Sequence, residues 1–324
     1  MNEQFYSWGM IFLGLLALTL GGEILVRSAS TLAALAKIPP LVIGLTVVAF
    51  GTSAPELGVS LQAATSGSAD VAVGNVVGSN IFNVLFILGV SGVITPLVVS
   101  SRLIRLDVPL MIGASLLVWM FASDGQIGRW DGMVLFVCLL GYIAFCIRMA
   151  KREASSVKAE FAGEYGGDIP SRANYALPVV MVAVGLVLLG LGAKWLVGGA
   201  VAVATWFGVS ELVIGLTIVA AGTSLPEVVT SVVASVRGER DIAVGNVVGS
   251  NLFNLACVLG ISAMVSRDGV AVSANAIWFD MPVMVLVAAA CLPIFFTGNR
   301  ISRAEGVVFL VGFVAYTTYL IIVA

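Results

Sequence analysis

Histidine is absent from this chain of 324 residues. Its absence removes the commonest general base near neutral pH and the commonest transition-metal ligand. Charge is scarce as well. Asp, Glu, Lys and Arg make up 10% of the residues, against about 25% in a soluble domain, which excludes an ordinary soluble protein. Four cysteines occur, Cys138, Cys146, Cys257 and Cys291, without a CxxC pair, so neither a disulfide framework nor a zinc motif is expected. All four fall in apolar stretches and read as small packing residues. The net charge of −2 offers no basic surface for nucleic acid. The opening residues, MNEQFYSW, lack the basic region of a cleavable signal peptide.

Apolar sequence takes the place of charge. The chain is 60% hydrophobic, with a mean hydropathy of +1.09. Stretches long enough to cross a bilayer recur at 6–28, 40–66, 70–94, 104–122, 129–149, 175–207, 210–236, 241–264, 275–297 and 303–323. The expected fold class is all-α, a polytopic membrane protein of ten transmembrane helices with the lipid bilayer as its solvent. Thirteen of the 16 Lys and Arg fall on one side if the N-terminus is outside: Arg27, Lys37, Arg102, Arg105, Arg148, Lys151, Arg152, Lys158, Arg172, Arg237, Arg240, Arg300 and Arg303. Arg129 and Arg267 fall on the other side, and Lys194 within a span. The excess of positive charge on cytoplasmic loops then places both termini outside. The polar stretch 151–174 reads as a mobile cytoplasmic linker between the halves 1–150 and 175–324.

The halves are copies. A shift of 171 lays LVIGLTVVAFGTSAPE (41–56) over LVIGLTIVAAGTSLPE (212–227), and DVAVGNVVGSNIFN (70–83) over DIAVGNVVGSNLFN (241–254). Across 41–91 and 212–262, 31 of 51 positions are identical. Five helices, an odd number, separate equivalent points, so the second copy enters from the opposite face. Two inverted five-helix repeats are the architecture of secondary transporters, whose site lies near the midplane at the repeat interface.

The repeated polar letters point to a cation. A carboxylate deep in a bilayer is unfavourable by several kcal/mol or more unless it is paired, neutralised or cation-bound. Neither Glu56 nor Glu227 has a basic neighbour in its own segment. Two carboxylates meeting at the repeat interface supply about the charge that a divalent cation neutralises. Gly51 with Pro55, and Gly222 with Pro226, are expected to break their helices and free upstream carbonyls, including those of Ala49 and Ala220. Thr52 shares a helix face with Glu56 at i,i+4, and Thr223 with Glu227. Ser53 and Ser224 add hydroxyls on the breaks. The partner helix carries Ser79 with Asn83, and Ser250 with Asn254, again at i,i+4. This is a set of hard oxygen donors, which suits Ca²⁺ or Na⁺ rather than zinc or copper.

The remaining motif residues read as structural. Gly74/Gly78 and Gly245/Gly249 form GxxxG pairs suited to close helix packing. Asn75, Asn80, Asn246 and Asn251 fall on other faces and suit interhelical hydrogen bonds. Asp70 and Asp241 open their helices as N-caps.

GTSAPE with GNVVGSNIFN, repeated as GTSLPE with GNVVGSNLFN, resembles the paired alpha-repeats of the cation/calcium exchanger superfamily, most of all its prokaryotic sodium/calcium exchangers. The resemblance covers both repeats and the five-plus-five layout. It implies antiport of Ca²⁺ against Na⁺ by alternating access in the plasma (inner) membrane of a prokaryote. It implies no catalysis, no resident cofactor and no obligate protein partner. Glu56 and Glu227 would be the central ligands. Thr52, Ser53, Thr223, Ser224, Ser79, Asn83, Ser250 and Asn254 would complete four sites, with the Ala49 and Ala220 carbonyls at flanking Na⁺ sites. Potassium-dependent relatives carry Asp where Asn254 stands here, which implies little K⁺ requirement. The proton-coupled branch carries a further Glu in its second motif, where this chain reads Val-Val-Gly-Ser. The rival readings are proton/calcium exchange, potassium-dependent exchange and, from another class, a cation channel.

Overall fold

The computed structural model describes residues 2–66, 69–165, 175–207, 220–296 and 298–323. Helices α1 (Asn2–Ala36), α2 (Pro40–Thr52), α3 (Ala54–Thr65), α4 (Val71–Ile94), α5 (Leu103–Asp124) and α6 (Arg129–Tyr165) form the first half. Helices α7 (Ala176–Trp206), α8 (Ala220–Thr223), α9 (Leu225–Arg237), α10 (Arg240–Val265), α11 (Ala276–Phe296) and α12 (Arg303–Val323) form the second. Among the described residues eight helices are long and apolar enough to cross a membrane, and the bent pair α2–α3 makes a ninth. Of the expected span 210–236, the part from Ala220 onward is described as α8 and α9. Residues 208–219 lie outside the described residues.

Two expected boundaries are corrected. Helix α1 runs from Asn2 to Ala36, well beyond 6–28. Helix α6 continues to Tyr165, well beyond the expected span 129–149, so the stretch read as a linker, 151–174, begins as helix. Its sequence KREASSVKAEFAGEY contains no proline and is rich in Ala, Glu and Lys, all strong helix formers. The rest of that linker, 166–174, lies outside the described residues.

Glycines bring α1 and α7 together. A Cβ on Gly14 would stand 2.8 Å from Gly192 O, one on Gly21 would stand 3.0 Å from Gly185 O, and one on Gly199 would stand 2.7 Å from Ser7 O. The residue numbers rise along one helix as they fall along the other, so the two helices are antiparallel. They are repeat equivalents, and their opposed directions express the inversion between the halves.

Helix α2 packs on α10 with similar closeness. A Cβ on Gly249 would stand 2.7 Å from Ala49 Cβ, and one on Gly245 would stand 3.1 Å from Leu41 O. The packing expected of the GxxxG pairs therefore holds for the second repeat. Gly74 and Gly78 have nothing within 4 Å of an added Cβ.

Four two-residue strands interrupt the all-helical expectation. β1 (Leu97–Val98) pairs antiparallel with β4 (Arg300–Ile301), and β2 (Gln126–Ile127) pairs with β3 (Val270–Ala271). Each pairing joins a loop of one half to a loop of the other. The helix N-cap at α10 is Glu239, with no side-chain cap bond, so Asp241 lies in the first turn rather than at the cap. A carboxylate there still favours the positive end of the helix dipole.

Candidate cation site

Both repeated motifs break at their serine. Ser53 has φ −80° and ψ 8°, and Ser224 has φ −89° and ψ 8°. Pro55 and Pro226 then sit in the first turn of the next helix, where a missing N–H is tolerated. The axis bends by 45° between α2 and α3. The break does not free the Ala49 carbonyl as expected. It accepts the Ser53 N–H at 3.0 Å, and the Thr52 hydroxyl lies 3.3 Å from it. Ala220 opens the short helix α8.

The breaks deliver the two glutamates to one place. Ser224 Oγ donates to Glu56 Oε1 at 2.9 Å, and Ser53 Oγ donates to Glu227 Oε1 at 3.1 Å. Each half therefore holds the other half's carboxylate. Glu56 is 0% exposed and Glu227 1%. Among the described residues neither has an ion-pair partner; Arg27 and Arg237 pair with Glu23 instead.

Expected hydroxyls lie around this pair. Ser224 Oγ lies 3.4 Å from Ser79 Oγ, and Thr52 Oγ1 lies 3.5 Å from Ser250 Oγ. Thr52, Ser53, Ser79, Ser224, Ser250, Asn83 and Asn254 are buried, whereas Thr223 is partly exposed. Asn83 and Asn254 each open a π-helical turn, Asn83–Leu88 and Asn254–Val258. Such turns shift the helix register and cluster at functional sites. Four buried oxygens among the motif residues accept no hydrogen bond: Glu56 Oε2, Glu227 Oε2, Asn83 Oδ1 and Asn254 Oδ1. Two carboxylate and two amide oxygens, related in pairs by the repeat, are thus left without a donor.

The other motif asparagines brace the site, as their faces suggested. Asn75 Nδ2 donates to Glu56 O at 3.1 Å and Ser60 Oγ at 2.9 Å. Asn246 Nδ2 repeats this toward Glu227 O and Ser231 Oγ at 3.4 and 3.0 Å. The bracing serines, Ser60 and Ser231, were missed in the sequence reading, although the 171-residue shift aligns them. Also missed were two tyrosine–aspartate bonds: Tyr142 to Asp107 at 3.0 Å, which is buried, and Tyr316 to Asp280 at 2.9 Å, which is partly buried. Similar sequence spacing in each half, 35 and 36 residues, was their only signal.

The sodium/calcium exchanger protein family matches residues 6–148 and 177–322. The sodium/calcium exchanger MaX1 of Methanosarcina acetivorans is 30% identical over 342 residues, covering 96% of this chain and 97% of that protein. The inner membrane protein YrbG of Escherichia coli is 33% identical over 311 residues, covering 96% and 95%. A solved structure of the sodium-calcium exchanger NCX_Mj superposes with a TM-score of 0.83 at 27% identity, covering 98% of this chain and 99% of that one. Repeat, fold and matched length agree: this multi-pass membrane protein belongs to the sodium/calcium exchanger protein family.

Proposed function

We propose that this chain exchanges Ca²⁺ for Na⁺ across the membrane by alternating access at the site between its halves. The four acceptor oxygens without donors carry this reading. Buried acceptors are unfavourable unless something positive meets them, and Ca²⁺ takes six to eight oxygen ligands. Glu56 and Glu227 are the central ligands. Thr52, Ser53, Thr223, Ser224, Ser79, Asn83, Ser250 and Asn254 surround them, with the Ala220 carbonyl at one flank.

Coupling follows from charge. Two carboxylates balance one Ca²⁺ or a set of Na⁺ ions, but not both at once. Either load neutralises the site and lets it change sides, whereas an empty site keeps two buried charges that resist the change. The glycine-packed pair α1–α7 is the gate that slides past the rest. Asn254 brings an amide rather than a further carboxylate, so exchange proceeds without K⁺. The protein works in the plasma (inner) membrane with both termini outside, and 151–174 joins the two functional halves on the cytoplasmic face.

The test is uptake of radiolabelled Ca²⁺ into proteoliposomes loaded with Na⁺ and diluted into choline, K⁺ or Na⁺ medium, with and without a pH gradient. Uptake driven by the outward Na⁺ gradient alone is the expected result. Uptake that ignores Na⁺ and follows the pH gradient overturns it in favour of proton coupling.

A further inference from the structure

Four asparagines cross between the halves in a closed pattern. Asn80 Nδ2 donates to the backbone carbonyl of Asn251 at 3.3 Å, and Asn251 Nδ2 donates to that of Asn80 at 3.3 Å. A backbone carbonyl only accepts, so each of these amides has its nitrogen end fixed. Methionine sulfurs, weak acceptors, lie on the same side: Met284 Sδ at 3.8 Å from Asn80 Nδ2, and Met111 Sδ at 3.5 Å from Asn251 Nδ2. The oxygen ends face the other way. Asn254 Nδ2 donates to Asn80 Oδ1 at 3.2 Å, and Asn83 Nδ2 donates to Asn251 Oδ1 at 3.0 Å. With their nitrogens held, Asn254 and Asn83 present their Oδ1 atoms, and these two oxygens accept no other bond.

We propose that Asn80 and Asn251 are positioning residues that set which end of the Asn254 and Asn83 amides meets the transported cation. A flipped Asn254 would turn its N–H₂ toward the cation and set Oδ1 against Asn80 Oδ1. Asn80 forbids that state from across the interface, and Asn251 does the same for Asn83. Each half therefore orients a ligand that the other half supplies. A cation on Asn254 Oδ1 also strengthens the Asn254-to-Asn80 bond, because linked hydrogen bonds polarise one another. The inference rests on the cation-site reading above.

Asn80→Ala in the full-length protein, assayed by Na⁺-driven Ca²⁺ uptake, is expected to raise KM for Ca²⁺ by about 10–100-fold, the usual effect of losing a partner that orients a metal ligand. Vmax is expected to fall by a smaller factor. The decisive arm is the same change in an Asn254→Asp background. A carboxylate has no nitrogen end, and Asn80 Oδ1 would face an oxygen. There Asn80→Ala should leave KM unchanged or lower it. An unchanged KM for Asn80→Ala alone overturns the proposal. So does an equal rise in both backgrounds, which would mean that Asn80 only packs. Should Asn80→Ala fail to fold, Asn251→Ala with and without Asn83→Asp reads the same reversal. Equilibrium binding of radiolabelled Ca²⁺ to the purified variants gives the same comparison, so a wild-type protein whose uptake ignores Na⁺ would refute the coupling and still test the asparagines.

Discussion

Ser224 in the second half donates its hydroxyl to Glu56 in the first, at 2.9 Å, and Ser53 returns the bond to Glu227 at 3.1 Å. This exchange of hydrogen bonds ties the two motifs together across the repeat interface. Glu56→Gln and Glu227→Gln each remove one of the two carboxylates and should abolish Ca²⁺ flux. Ser53→Ala and Ser224→Ala remove one bond to a carboxylate, of about 1.5–3 kcal/mol, so apparent Ca²⁺ affinity should fall by about 10–100-fold. Uptake kinetics on the four variants would expose an error if either Gln variant exchanged normally.

Asn254→Asp converts the amide at this site into a third carboxylate. Wild-type uptake should be indifferent to K⁺, and the variant should gain sensitivity to monovalent cations as the site becomes more anionic. Initial rates in matched K⁺ and choline media decide this. Strong K⁺ stimulation of the wild type would contradict the role given to Asn254.

The α1–α7 interface should tolerate no added methyl at its contact glycines. A Cβ on Gly192 would lie 2.7 Å from Leu18 N and 2.9 Å from Gly14 O, both backbone atoms that cannot step aside. Gly192→Ala should therefore lower thermal stability in detergent and slow exchange together. Gly190→Ala, where nothing lies within 4 Å, should keep the wild-type melting temperature or raise it slightly.

Buried and partly exposed copies of one bond should differ in strength. Tyr142→Phe leaves the fully buried Asp107 Oδ1 without its donor and should destabilise the protein by about 1–3 kcal/mol. Tyr316→Phe strips the same bond from Asp280, which is partly exposed and can recruit water. Its loss should be smaller. Equal losses in thermal unfolding would show that burial does not set the difference.

The ion pairs at Glu23 should matter little for stability. Glu23 meets Arg27 at 2.7 Å and also contacts Arg237, with side chains 30–66% exposed. Pairs so open to solvent are worth about 0–1 kcal/mol. Glu23→Gln should shift the unfolding midpoint only slightly, and a large drop would point to an effect beyond the exposed pairs.

The sequence alone determined the repeat, the membrane spans and the two acidic motifs, because each is a linear pattern. Twenty apolar residues must span, and a carboxylate among them must be compensated whatever the fold. The expected span 241–264 accordingly appears as Arg240–Val265. The helical start of the linker was legible in its Ala, Glu and Lys content. The helix breaks between Gly51 and Pro55 and between Gly222 and Pro226 were also legible, and they fall at Ser53 and Ser224. Tertiary structure decided the rest. No pattern along one helix states that Ser53 reaches Glu227 or that Asn80 holds Asn254, since those bonds exist only once the inverted copies cross. A linear code fixes what each half carries. The meeting of two antiparallel halves fixes which oxygens are left without a donor, and those oxygens are the ones the proposed function assigns to the cation.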